Sequence, residues 1–154
     1  MTGLTDYAGW LYRQPGMQEL LLGLQDDAGQ DVLLLLTACW LGQRQVAADA
    51  ELWGSLHASQ APWREKVIQP LRQVRRQLSG NPATAALYEQ IKACELNAEW
   101  HQLAVLERLC GAAAGSADAP HKCMLAHLLQ CCGGAGDERL EQLAAAAAGG
   151  DLSK

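Results

Sequence analysis

A chain of 154 residues fits one domain and can bury a hydrophobic core without disulfides or metal. Hydrophobic residues make up 49% and charged residues 19%, a balance that excludes an intrinsically disordered chain. The net charge of −5 argues against wrapping of nucleic acid or adhesion to an anionic membrane, so neither is expected as a partner.

Apolar residues recur at helical spacing along almost the whole chain, and no stretch alternates as a strand would. Thr5 is placed to cap a first helix bearing Tyr7, Trp10 and Leu11, which stops near Gln14 ahead of Pro15. Met17, Leu20, Leu21 and Leu24 form the stripe of a second helix, closed by Gly29. Asp31 is predicted to cap a third. Its Val32–Leu36 run is apolar all round and belongs at the centre, with Gly42 as its expected end. A fourth helix starts at Asp49 and presents Leu52, Trp53 and Leu56. A fifth takes Pro62 into its first turn and carries Trp63, Val67, Leu71, Val74 and Leu78 on one face. Pro70 removes the bond to the Lys66 carbonyl, which predicts a kink there. Asn81 then caps, and Pro82 opens, a sixth and longest helix over about Ala83 to Cys110.

The stretch "GAAAGSADAP" reads as a linker by composition. Beyond it lie "HKCMLAHLLQCC", a short helix, and "DERLEQLAAAAAGG", a good helix former with only Leu140 and Leu143 as large apolar residues. The expected architecture is therefore all-α: a compact single-domain bundle of about six helices over 1–111, then a linker and a loosely attached C-terminal helical appendage over 112–154. The opening "MTGLTDYAGWLYRQPG" lacks a basic n-region and is not expected to act as a secretory leader. The longest apolar run, "VLLLLTACWLG", is about half the ~20 residues a membrane span needs. A cytoplasmic protein with its six cysteines reduced is the expectation. There is no CxxC pair and no repeated cysteine spacing.

Three constellations carry chemistry. Asp26, Asp27 and Asp31 form a D-D-x-x-x-D pattern that resembles the magnesium-diphosphate motif of isoprenoid synthases. A second acidic motif is missing, and Gly29 breaks the helix between the second and third aspartates. The favoured reading is structural for every residue: Gly29 turns the chain, Asp31 caps, and Asp26 or Asp27 stays solvated or bonds the turn. Two carboxylates at a helix C-terminus oppose its dipole, so a basic side chain or free amide from a neighbouring helix is expected beside them.

Arg64, Lys66, Arg72, Arg75 and Arg76 form the second constellation, with the last three sharing a helix face. They could contact phosphates, but no interleaved aromatics or recognisable binding motif surround them. Internal pairing with the sixth helix is favoured, with Arg72 and Arg76 near Glu89, and Arg64 or Lys66 near Glu95 and Glu99. The third constellation is His121, Cys123, His127, Cys131 and Cys132. Cys123, His127 and Cys131 stand four residues apart and could offer soft metal ligands, although buried cysteines beside leucines usually pack, and no metal is expected. His101 reads as a surface residue. The tryptophans at 10, 40, 53, 63 and 100 mostly fill the core, with one or two available to line a groove.

The segments "WLYRQPGM", "LQDDAGQDVLLLL" with the following "CWLG", "WREKVIQPLRQVRRQL" and "IKACELNAE" resemble, in this order, a family of small uncharacterised proteobacterial proteins of the domain-of-unknown-function type. The resemblance covers most of Trp10 to Glu99 and departs at Leu33, where the family carries Asn. It implies a helical cytoplasmic protein and brings no activity, substrate or cofactor. The function expected is a non-catalytic protein-interaction module without a cofactor. Its candidate turn or interaction residues are Trp10, Asp26, Asp27, Asp31, Arg72, Arg75, Arg76 and Glu95. Two alternatives compete with it: nucleic-acid binding through Arg72, Arg75 and Arg76, and a metal-dependent enzyme using Asp26, Asp27 and Asp31.

Overall fold

Local polar caps and a turn glycine set several helix ends in the computed structural model, which describes residues 3–111, 114–134 and 136–149. Parts of the expected linker and C-terminal segment (112, 113, 135 and 150–154) lie outside the described residues. α1 (Leu4–Tyr12) follows Gly3, and Thr5 does not cap it but sits inside its first turn. A long-range partner takes the cap's place, because the Leu4 amide donates to Glu107 Oε1. α2 (Met17–Ala28) ends at Gly29, whose φ of 67° lies in the left-handed region that glycine adopts without strain. Asp31 then caps α3 (Val32–Gln43), its Oδ1 accepting from the amides of Leu33 at 2.9 Å and Leu34 at 3.3 Å. Every residue of α3 from Leu33 to Gly42 is buried.

Gly42 does not terminate α3. It is buried in the last turn, where an added Cβ would stand 2.2 Å from Met124 Cγ and 2.5 Å from Met124 Cα. Its small size therefore serves a helix crossing rather than a turn.

Asp49 caps α4 (Ala50–Trp63) by accepting from the Glu51 amide. Pro62 does not start a new helix. It lies within α4, which runs on through a π-helical turn at Arg64–Ile68 into α5 (Gln69–Leu78). Pro70 lies two residues past Ile68, the last residue of that turn, and a proline in mid-helix lacks a donor and crowds the carbonyl four residues back. The π turn, with its one-residue-wider loop, absorbs this conflict, so the distortion expected at Pro70 takes that form. Asn81 accepts from the Ala83 amide at 3.0 Å and opens a short 3₁₀ turn (Pro82–Thr84) ahead of α6 (Ala85–Cys110). α7 (Pro120–Cys131) and α8 (Glu138–Gly149) complete the described helices. With α4, the π turn and α5 counted as one rod, there are seven helices among the described residues. The only extended pairing among them is an isolated bridge between Val46 and Gly115.

α3 is the hub of an all-α fold, with α7 laid along it and α1, α6 and α8 around it. Composition underweights the segment after residue 111. Met124, Leu128 and Cys131 of α7 join the same buried cluster as Leu35, Leu41 and Leu106, as do Leu140, Leu143, Ala144 and Ala147 of α8. Small alanines bury little area each, yet they let helices approach closely, and counting large side chains misses that contribution. No helix among the described residues is long and apolar enough to cross a membrane.

Candidate functional site

The rod of α4, the π turn and α5 packs against α6 and leaves an open groove bounded by α1 and the α2–α3 turn. Its volume is about 670 Å³. Val32, Leu33, Leu36, Ile68 and Leu103 supply its apolar lining, and Leu22, Leu96 and Trp100 add large apolar side chains. These last three are exposed by 40%, 45% and 52%. Six basic residues also line it, Arg13, Arg64, Arg72, Arg75, Arg76 and Lys92, against four acidic ones, Asp26, Asp31, Glu95 and Glu99. Half of the chain's 12 lysines and arginines thus gather at one groove of a protein whose net charge is −5.

Glu95 organises this charge. It is only 5% exposed, and it accepts from Arg72 Nε at 3.0 Å and from Arg75 Nε at 2.5 Å. Burial alone would raise its pKa, but the hydrogen bonds from Arg75 and Arg72 outweigh burial and hold the carboxyl below its usual range. The same bond to Glu95, together with the nearby Tyr88 hydroxyl, raises the pKa of Arg75. Arg76 is exposed, with no hydrogen-bond or ion-pair partner among the described residues. The expected internal pairing of arginines with α6 is present, but its acceptor is Glu95. Glu89 is exposed and joins none of these pairs, and Arg64 lies 3.9 Å from Asp31 rather than beside Glu95 or Glu99.

Glu99, one turn beyond Glu95 on α6, is half-buried and hydrogen-bonds to none of the described residues. Burial, followed by the Glu95 charge, pushes its carboxyl from the ordinary 4.5 to about 7, although Arg72 and Arg75 pull the other way. Burial and then Glu99 also raise the pKa of Tyr12 on the opposite wall.

The three aspartates separate. Beyond its capping bonds, Asp31 accepts from Gln60 Nε2 at 2.8 Å through Oδ2. Gln60 is 1% exposed and its Oε1 has no partner. Asp27 pairs with Arg139 Nη1 of α8 at 3.0 Å, and the same nitrogen reaches the Gly23 carbonyl at 3.1 Å. A basic side chain from a neighbouring helix thus meets the C-terminal end of α2, where the carboxylates oppose the helix dipole. Asp26 is exposed at the groove edge. Trp10 lies outside the groove, partly buried against the core and 5.7 Å from the Tyr7 ring.

The histidines and cysteines of α7 also go to separate partners. His127 is fully buried. Trp53 Nε1 donates to its Nδ1 at 3.0 Å, and its Nε2 lies 2.7 Å from the Val46 carbonyl. A ring that accepts at Nδ1 and donates at Nε2 is neutral, and burial lowers its pKa accordingly. His121 faces Glu141 at 3.2 Å, and Cys123 Sγ contacts the Asp118 carbonyl. All six cysteines are free. Among the described residues no group of three or more His, Cys, Asp or Glu side chains is placed to hold a metal ion.

Every groove-lining residue falls between Thr5 and Leu103, and residues 4–106 match the model of one protein family. The chain belongs to the family of proteins of unknown function DUF2390. No curated protein and no solved structure matches the chain. The DUF2390 region holds α1 to α5 and most of α6, and so the complete groove, whereas α7 and α8 lie outside it. Sequence reasoning pointed to Arg72, Arg75, Glu95 and Asp31. It passed over Leu22, Leu96, Tyr12 and the titration of Glu99, since only their convergence gives them meaning.

Proposed function

We propose that the protein is a non-catalytic binding module that holds a segment of a protein partner in the groove between α1, α5 and α6. One observation carries this reading: Leu22, Leu96 and Trp100 stay exposed beside a basic rim on an otherwise acidic chain. Exposed apolar side chains ringed by charge are the usual composition of a docking patch, with an aromatic anchor inside a polar border. The alternatives draw less support. A phosphate-binding face has Arg72 and Arg75 already tied to Glu95, leaving Arg76 and Lys92 as the exposed cations of that wall. A metal-dependent reaction through Asp26, Asp27 and Asp31 lacks convergence, because Asp31 caps α3 and Asp27 pairs with Arg139.

The test is affinity capture from cells of the native host with the wild type, a Leu96→Asp/Trp100→Ala variant and a Leu129→Asp control. Leu129 is exposed on α7, away from the groove. A protein recovered with wild type and control but lost with the groove variant supports the reading. Equal recovery with all three contradicts it.

A further inference from the structure

We propose that Glu95 presents Arg72 and Arg75 as an anion site in the groove wall, and that this site receives one carboxylate from the partner's bound segment. The inference rests on the groove being the docking surface and names the chemistry it recognises.

A guanidinium has five N–H groups in a rigid fork. Arg72 and Arg75 each meet Glu95 through Nε, so the contact with the carboxylate uses one donor of each. Arg72 has no other hydrogen-bond partner among the described residues, and Arg75 adds only Tyr88, although both also act on Glu99 through space. Their side chains are 21% and 24% exposed, partly withdrawn from water yet lining the cavity. Donors left over at such positions are strong binding groups, because charge-assisted hydrogen bonds gain strength where solvent is thinned. Glu95 fixes both side chains in advance, which removes much of the rotamer cost of binding.

Charge selects the ligand. Arg72, Arg75 and Glu95 leave a net charge of +1, which falls towards zero as the neighbouring Glu99 ionises, so a singly charged carboxylate is the most this wall neutralises. A phosphate dianion would leave an excess negative charge near Glu99 and Asp31, which line the same cavity. The apolar lining beside the arginines requires that this carboxylate sit among apolar neighbours, as an acidic residue or a chain end does within a hydrophobic segment. Arg76 and Lys92, both exposed, contribute attraction at a distance rather than contact.

The test uses octanoate, octyl phosphate and 1-octanol as probes of carboxylate, phosphate and bare chain. The full-length protein is followed through its arginine Nε–Hε resonances at fixed ionic strength. Octanoate is expected to bind saturably, to shift Arg72 and Arg75, and to bind about tenfold tighter than octanol. Arg72→Gln should weaken octanoate about tenfold, and Arg76→Gln by less than about threefold. Unchanged α3 amide resonances show that each variant is folded. Octanol binding as tightly as octanoate overturns the carboxylate site and leaves the docking reading to the capture experiment. So does octyl phosphate binding as tightly, an equal affinity in Arg72→Gln, or the absence of any Arg72 and Arg75 shift.

Discussion

The α3–α7 contact and the α5–α6 wall of the groove are both helix pairs, and they are built on opposite principles. At the first, a glycine lets two backbones meet: Gly42 faces Met124 so closely that no Cβ fits. Beside it, His127 of α7 is buried with both ring nitrogens engaged, by Trp53 of α4 and by the Val46 carbonyl just past α3. At the second, no residue of α5 is fully buried, and the helices are joined by a charged trio with donors to spare. Packed contacts of the first kind hold a fold together, because each buried atom has partners on all sides. Partly exposed ion pairs add little stability and set orientation instead. A tightly packed crossing and a charged, partly exposed wall thus occupy different parts of the same fold.

Substitutions should break the two regions in different ways. Gly42→Ala, the most damaging, places a methyl group against the Met124 backbone and should cost about 3 kcal/mol in urea unfolding. Leu96→Ala in the groove should stay within about 0.5 kcal/mol in the same assay.

His127 comes next. Its pKa is lowered by burial, so the unfolded chain binds the proton more readily than the folded one. The stability it contributes is complete above the ordinary 6.5 and is lost as pH falls below that value. The unfolding free energy should fall between pH 7.5 and pH 5.5 by more in wild type than in His127→Gln, as read from urea titrations at the two pH values.

Glu99 behaves in the opposite sense. Its folded pKa of about 7 exceeds the ordinary 4.5, so the folded state favours the proton. Relative to a neutral side chain, Glu99 is without penalty below about 4.5 and costs stability progressively up to about 7. Glu99→Gln should therefore stabilise the protein by on the order of 1 kcal/mol at pH 8, after discount for solvent screening. The gain should vanish at pH 4. Asp31→Ala should cost about 1 kcal/mol by freeing two α3 amides, as read from thermal unfolding.

What the sequence made legible was local. Gly29, Asp31, Asp49 and Asn81 act within a turn of themselves, so residue type and position suffice to place them. Gly42 looks like a terminator by the same local reasoning, but its partner Met124 is 82 positions away, and no local pattern reports that. His127 offered a ligand spacing on its own helix, whereas its partners Trp53 and Val46 lie 74 and 81 residues off. The arginine pairing was half legible. Counting heights from the hairpin turn favoured Glu89, but side chains lean towards the N-terminus of their own helix. In an antiparallel pair that lean carries Arg72 and Arg75 away from the turn and Glu95 back towards it, which accounts for the contact at Glu95. The groove itself draws on α1, α2, α3, α5 and α6 together and has no signature in any one of them.

On the proposed reading the Arg72–Glu95–Arg75 trio is held for recognition rather than for stability. A thermal-shift titration of an Arg72→Leu/Arg75→Leu/Glu95→Leu variant with octanoate tests it most directly. Replacing a partly buried ionic trio with apolar residues of similar reach often leaves stability unchanged or higher. The account predicts a melting temperature within about 3 °C of wild type or above it, with the octanoate-induced shift abolished. A variant that melts far lower, yet is still stabilised by octanoate as wild type is, would contradict it.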